Sequence, residues 1–227
     1  MADTGDLKSP ALTGVRVRVP PSARFLLSVY WLFPRYKTAG DRFSREIPDE
    51  TKEEPGMIKC ERIVIVPFDM KYLQEYCSGF NAEITRYQWP DPFETPDDAE
   101  NVLRGFLEEM GKGETLLFSV LSGKGEFLGS VEVHGLAGDC PELGVWIKES
   151  EQHKGYAYEA LHAVLDYAYS EYGRNEFFYE ADIRNKPSIR LLRRLENEYR
   201  ITDLEAEEMT TDSGKALHLQ GHILTKI

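Results

Sequence analysis

Residues 143–168 constrain the fold more than any other part of the chain. An apolar run, Leu143-Gly144-Val145-Trp146-Ile147, gives way to the polar stretch Gln152-His153-Lys154-Gly155-Tyr156-Ala157, which leads into Tyr158-Glu159-Ala160-Leu161-His162-Ala163-Val164-Leu165-Asp166-Tyr167-Ala168. The last segment, with Ala157 before it and Tyr172 after it, places apolar residues at i, i+3, i+4 spacing, so it reads as a helix with one buried face. Gly173 supplies its stop. Strand, tight loop, helix is the expected local fold. Small residues at Gly155 and Ala157 let the backbone come close to a ligand, and the first amide N–H groups of a helix lack intrahelical partners. The loop therefore reads as an anion cradle suited to a phosphate or pyrophosphate. Lys154 is placed to add positive charge to it.

A second stretch, Ala181-Asp182-Ile183-Arg184-Asn185-Lys186-Pro187-Ser188-Ile189-Arg190-Leu191-Leu192-Arg193-Arg194-Leu195, reads as a strand end, a polar turn and another helix. Gln152-x-x-Gly155-x-Ala157 in the first stretch and Asn185-x-x-Ser188 in the second together resemble the Gcn5-related N-acetyltransferase (GNAT) superfamily, in its RimJ/RimL-like branch. The resemblance extends from about Ile58 to the C-terminus. It implies an acetyl-CoA-dependent N-acetyltransferase, with acetyl-CoA as cosubstrate and a primary amine as acceptor, either a small molecule or a protein N-terminus. Gln152, His153, Lys154, Gly155, Tyr156 and Ala157 would hold the pyrophosphate. The backbone of Val145, Trp146 and Ile147 would pair with the pantetheine arm, and Asn185 and Ser188 would contact the cofactor. In RimJ/RimL-like relatives a serine at the place of Ser188 is the proposed acid or sulfur contact; Asn185 and Ser188 also suit capping of the helix.

Two departures from the family pattern bear on the chemistry. Many relatives carry a thiolate-protonating tyrosine four residues after the serine position, and here that place holds Leu192. The family then continues Gly-Phe after the leucine at 195, where this chain has Glu196-Asn197. The missing tyrosine keeps an alternative open: an acyl-CoA-binding sensor or regulatory module with little turnover.

A general base is needed because a lysine-like amine has a pKa of roughly 10.4 and a peptide N-terminus roughly 7.7–8.0. Glu142, at the start of the strand before the loop, is the first candidate, lying about where the family often carries its catalytic glutamate. Glu132 and His134 lie two apart on a strand and share a face, so they are the next. Each also reads as a solvent-facing strand residue. The aromatic loop Ile84–Phe93 supplies Tyr87, Trp89 and Phe93, which in the resembled family would wall the acceptor pocket and otherwise plug the core. His218 and His222 share a strand face but have no third ligand beside them, so no metal is expected.

The remaining pattern gives a strand over Ile58–Pro67 and a helix capped by Asp69. Another helix is started by Thr95-Pro96-Asp97-Asp98 and ends near Gly111. Strands follow at 115–121 and 127–136, then at 177–183 and 217–224, with 199–205 beside the last. The expected fold class is α+β: one mixed, mostly antiparallel sheet flanked by helices, in a single domain over residues 57–227.

Residues 1–56 differ from this. Six prolines interrupt them and residues 41–56 are charged without an apolar period, so a disordered extension is expected. Gly14–Ala23 resembles the peptide read through a bacterial tRNA gene, Val15-Arg16-Val17 matching its T-arm. Met57 is therefore the expected true start, and a genuine flexible or membrane-touching arm is the alternative. The longest apolar run, Phe25–Phe33, falls short of the ~20 residues needed to span a bilayer and lacks a small-residue cleavage site after it. After residue 56 the chain holds 18 basic and 31 acidic residues, net −13. That surface disfavours nucleic-acid backbones and favours cationic small molecules or basic peptides. Cys60, Cys77 and Cys140 form no disulfide framework, which suits the cytoplasm. No pattern specifies an oligomeric state.

Overall fold

The computed structural model describes residues 56–227; residues 1–55, where a disordered extension or a flexible or membrane-touching arm is expected, lie outside the described residues. Eight strands run in chain order as β1 (Ile58–Lys59), β2 (Ile63–Pro67), β3 (Thr115–Ser122), β4 (Phe127–His134), β5 (Glu142–Ile147), β6 (Glu176–Asp182), β7 (Tyr199–Thr210) and β8 (Ala216–Lys226). Four helices accompany them: α1 (Leu73–Gly79), α2 (Pro96–Gly111), α3 (Tyr156–Tyr172) and α4 (Lys186–Arg193). The strands form one sheet in the order β1-β2-β3-β4-β5-β6-β8-β7. β5 and β6 pair in parallel and the other neighbours are antiparallel. The α+β sheet with flanking helices is the expected class.

The helices start and stop where the residues dictate. Thr95 and Asp98 form a reciprocal capping box ahead of α2, with Pro96 in the first turn. Asp69 caps the short 3-10 turn Met70–Tyr72 that runs into α1. Gly155 and Gly173, both left-handed, bracket α3. The region Ile58–Pro67 departs from the single expected strand. Cys60-Glu61-Arg62 turn the chain back, and Ile58 and Lys59 pair with Ile65 and Val64 as a small hairpin. Lys59-Cys60-Glu61-Arg62 holds no Gly, Pro, Asn or Asp to mark such a turn, and the β-branched residues beside it have strand propensity. β7 also runs on to Thr210, past the expected Glu205, because β8 continues to pair with it beyond a bulge between Asp203 and Ala206.

Side chains alternate across the sheet and build two cores. Leu143 and Ile147 of β5 join Leu161, Val164 and Leu165 of α3 and Leu192 of α4 on one face. Trp146 joins Tyr76 and Phe80 from the α1 region and Leu103 and Phe106 of α2 on the other. Leu103, Leu161 and Leu165 are fully buried, so truncating any one to Ala costs about 2–5 kcal/mol.

One irregularity positions the site. β5 pairs along its whole length with β4, from Glu142↔His134 to Ile147↔Gly129. β6 pairs along its whole length with β8. Between themselves β5 and β6 pair only at Glu142↔Phe178 and Leu143↔Tyr179. Beyond that point they part, and the β5 edge from Gly144 to Ile147 has no strand partner.

Candidate active site

On the α3–α4 face a cleft of about 900 Å³ opens over the gap between β5 and β6. Val145, Trp146, Ile147, Gln152, His153, Gly155, Tyr156, Ala157, Asn185 and Ser188 all line it. The loop is held in a shape that presents backbone. His153 and Gly155 take positive φ values of 61° and 87°, and no side chain caps the first amides of α3. A Cβ on Gly155 would lie 3.1 Å from Arg62 Nη2, so the cradle is closed from behind. Free first-turn amides at the start of a 17-residue helix fit a pyrophosphate; the Gln152 side-chain amide donates to the Ile147 carbonyl at 3.1 Å, and the rest of the β5 edge, without a strand partner, fits an extended amide-bearing arm.

Arg62, which the sequence reading did not single out, organises this loop. Its backbone N–H and its Nε donate to the Glu159 carboxylate, both at 2.8 Å, and Nη2 lies 2.7 Å from Glu159 Oε2. Nη1 donates to the Lys154 carbonyl at 2.7 Å. Glu159 sits in the first turn of α3, where its charge would oppose an anion; the guanidinium draws it behind the loop. Lys154 lies on the loop, but its ammonium turns to Glu151 at 2.9 Å and its side chain is not on the cleft wall. Arg190, Arg193 and Arg194 of the α4 region stand on the opposite wall, Arg194 stacked 3.7 Å over the Tyr158 ring.

On the opposite face of the sheet a second cavity, about 170 Å³, collects all three expected carboxylate and imidazole candidates: Glu132, His134 and Glu142. Register brings them together, since Glu132 and His134 share a face of β4 and Glu142 pairs directly with His134. Neither Glu132 nor His134 faces solvent as a plain strand residue would. The Glu132 carboxylate accepts from the Tyr76 hydroxyl and from Ser130 Oγ, each at 3.0 Å, and lies 3.0 Å from His134 Nε2. Burial pushes the Glu132 pKa up, but the hydrogen bond and charge of His134, with Ser130 and Tyr76, outweigh it and leave it below its usual value. Burial likewise opposes protonation of His134, while the Glu132 hydrogen bond and the charges of Glu132, Glu142 and Glu109 raise its pKa. These two groups form an ion pair at 3.0 Å.

Glu142 is different. Burial, partly offset by His134 and reinforced by the charges of Glu180 and Glu132, raises its pKa to about 7. Among the described residues its carboxyl makes no hydrogen bond or salt bridge, and it faces the cavity.

Tyr87, Trp89 and Phe93 line this second cavity with Tyr76, Phe80 and Phe106. Their loop is tied down by two cations. Lys215, in the β7–β8 turn, donates to the carbonyls of Thr85 and Gln88 at 2.7 and 2.8 Å and pairs with Asp91 at 2.8 Å. Arg184, held by the fully buried Asp182 at 2.7 Å, stacks over Tyr87. The hairpin is thus fastened across the aromatic wall.

The two cavities meet at the gap, sharing Tyr87, Gln88, Val145, Trp146, Tyr179, Asn185 and Ser188. Asn185 caps α4 by accepting from the Ser188 N–H at 3.2 Å. Ser188 Oγ lies 2.6 Å from the hydroxyl of Tyr179, which the sequence places in a strand without a site role because a tyrosine inside an aromatic strand carries no motif. Leu192 is fully buried in the core under α4. His218 and His222 do not converge: His218 lies near Glu208 and His222 near Asp203. A different group, His162, Asp166 and Glu198, places three ligand-type atoms within 4.8 Å of one another. Its imidazole lies between the two carboxylates, and Lys226 also reaches Asp166. No described helix is long and apolar enough to cross a membrane.

A profile of the family described as acetyltransferase (GNAT) domain matches residues 62–197. Among solved structures, spermidine N-acetyltransferase from Vibrio cholerae, in complex with CoA and spermine, is similar at 15% identity, over 72% of this chain and 95% of that one, with a TM-score of 0.59. RimL, a ribosomal L7/L12 alpha-N-protein acetyltransferase in complex with coenzyme A, is similar at 14% identity over 75% and 98%, TM-score 0.63. Mycobacterium smegmatis RimJ is similar at 18% identity over 72% and 81%, TM-score 0.62. At these identities the likeness is one of fold. No curated protein sequence matches the chain.

Proposed function

The chain belongs to the GNAT acetyltransferase family, and from that premise we propose that it transfers acetyl directly from acetyl-CoA to the primary amine of a compact cationic small molecule. The observation that carries this reading is Glu142: a half-buried carboxyl without a hydrogen-bond partner among the described residues, with a pKa raised to about 7, on an aromatic cavity that opens onto the coenzyme-sized cleft.

Acetyl-CoA supplies an activated thioester. The first-turn amides of α3 suit its pyrophosphate, and the edge of β5 from Gly144 to Trp146, which has no strand partner, suits its pantetheine amides. From the other face, Glu132, Glu142 and Glu180 outnumber the His134 cation in the lining, and aromatic walls favour an ammonium further. The cavity thus gathers the amine as its ammonium, and the fraction that has lost one proton to water carries the lone pair that attacks. Glu142 takes up the proton that the nitrogen sheds on bonding to the acetyl carbon; a base with its pKa near the working pH suits that task. Glu132 and His134, paired through Oε2 and Nε2, set the charge of the cavity and leave Glu142 as the base.

Size favours a small acceptor over a protein N-terminus. The cavity is about 170 Å³, below the usual range of about 300–1,000 Å³ for ligand pockets, and Lys215 fastens the hairpin across its wall. The similar structures divide on this point, one holding spermine and another acting on a ribosomal protein. The test is initial rates with acetyl-CoA and a panel of alkylamines, arylalkylamines, polyamines and short peptides with free N-termini. Saturation by compact amines at lower KM than by peptides is expected. Saturation by peptides alone would reassign the acceptor, and acetyl-CoA binding with no turnover on any amine would return the chain to the sensor reading.

A further inference from the structure

We propose that Tyr179 is the acid that protonates the departing thiolate, with Ser188 orienting its phenol; this rests on the acetyl-transfer reading above. Tyr179 is the last β6 residue paired with β5, so its side chain stands where the two strands part. It lines both cavities, and its hydroxyl is 2.6 Å from Ser188 Oγ. Either oxygen of that pair can be the donor. The chemistry selects one direction. A phenol, with a pKa of about 10, is close to an alkyl thiol at about 8.5, whereas a serine hydroxyl is a far weaker acid. The productive arrangement has Ser188 donating to the Tyr179 oxygen, which leaves the phenolic proton free to point at sulfur.

Location separates Tyr179 from the other hydroxyls shared by the two cavities. Tyr87 belongs to the clamped aromatic loop, its ring under Arg184. Ser188 has its backbone N–H fixed by Asn185, so its side chain is held at the first turn of α4, over the phenol. The amine-side groups Glu132, His134 and Glu142 share the opposite face of the sheet from the α4 side. A proton is therefore taken on one face and given on the other. Burial raises the Tyr179 pKa and the Ser188 hydrogen bond partly offsets this, so the phenol keeps its proton at neutral pH.

The step balances as follows. The nitrogen lone pair forms the C–N bond, the C–S bond breaks with its electron pair on sulfur, and the Tyr179 proton moves to sulfur to give the free thiol. The surplus proton on nitrogen passes to Glu142. Once the products leave, the phenolate regains a proton from solvent and Glu142 releases one, so no other reactant is needed.

The experiment compares wild type with Y179F, S188A and the double variant, using full-length protein, acetyl-CoA and the best acceptor of the amine panel. Y179F is expected to lower kcat by about 10²-fold or more, the usual contribution of a general acid. Its KM for acetyl-CoA should stay within about twofold, and the alkaline limb of its pH profile should be lost. S188A should lose less and move that limb to higher pH, and the double variant should be no worse than Y179F. Fluorotyrosine in place of Tyr179 should shift the limb to lower pH, a readout that packing alone would not move. A Y179F variant with kcat within about threefold of wild type, or a larger loss in S188A than in Y179F, would overturn the assignment. A wild-type chain that acetylates no amine would instead overturn the reading beneath it.

Discussion

Tyr179 pairs with Leu143, and beyond that pair β5 and β6 separate, opening a passage through the sheet. The two faces bring different chemistry to it. One side carries backbone amides, arginines and hydroxyls; the other carries half-buried carboxylates, an imidazole and aromatic rings. A parallel pair that breaks after two residues leaves backbone groups that need partners, so the gap is a place where an extended ligand completes the sheet.

Glu142→Gln separates the base from the fold. With a pKa of about 7, Glu142 should give wild type an acid limb near pH 7 in kcat/KM, activity rising as the carboxyl ionises. The variant should be slowed by about 10²-fold near neutrality and should lose that limb. Its stability should change in the opposite sense. A carboxyl whose folded pKa is raised favours the folded state while protonated and loses that contribution as pH rises from about 4.5 toward 7. E142Q should therefore melt above wild type at pH 8, by up to roughly 3 kcal/mol, and match it below pH 4.5. Equal melting curves at pH 8 would show that Glu142 is not an ionised buried group.

Arg62 and Gly155 act on the cofactor loop alone. Gly155→Ala forces a side chain into a left-handed backbone, at about 1–2 kcal/mol, and against Arg62 at 3.1 Å. Its expected effect is a rise in KM for acetyl-CoA of about tenfold or more. Arg62→Met releases Glu159 beside the cradle and should raise the same KM by roughly three- to tenfold, less because the guanidinium is half exposed. Acceptor KM should be unchanged in both, and steady-state kinetics with each substrate varied checks it.

Lys215→Ala acts on the acceptor side. It removes the cation that joins the carbonyls of Thr85 and Gln88 to Asp91, freeing the loop that bears Tyr87, Trp89 and Phe93. Acceptor KM should rise by about tenfold and KM for acetyl-CoA should not. Bulkier amines, poor substrates of wild type, should gain relative to compact ones. An unchanged acceptor profile would remove the hairpin from specificity.

Much of this was legible in the sequence, and the limits are physical. The cradle was readable because Gly155 and Ala157 sit between a strand and a helix with opposite periodicities. Glu142, Glu132 and His134 were readable as strand neighbours, but their division into a free carboxyl and an ion pair depends on Tyr76 and Ser130, contributed by other elements. Arg62 was hidden in a hairpin turn that no Gly, Pro, Asn or Asp marks. Tyr179 was hidden because its role depends on where one strand leaves its neighbour, which is a property of register rather than of local spelling. Leu192 reads as a loss in the sequence; in the fold it fills the core, and a phenol stands at the gap from a different strand.

The central claim is that amine and thioester meet directly in the gap between β5 and β6, without an acyl-enzyme. Initial rates with acetyl-CoA and the best acceptor varied together test it most directly, alongside thiol release with acceptor omitted. Direct transfer predicts intersecting double-reciprocal lines and thiol release only when amine is present. Parallel lines, with a burst of thiol in the absence of amine, would contradict it.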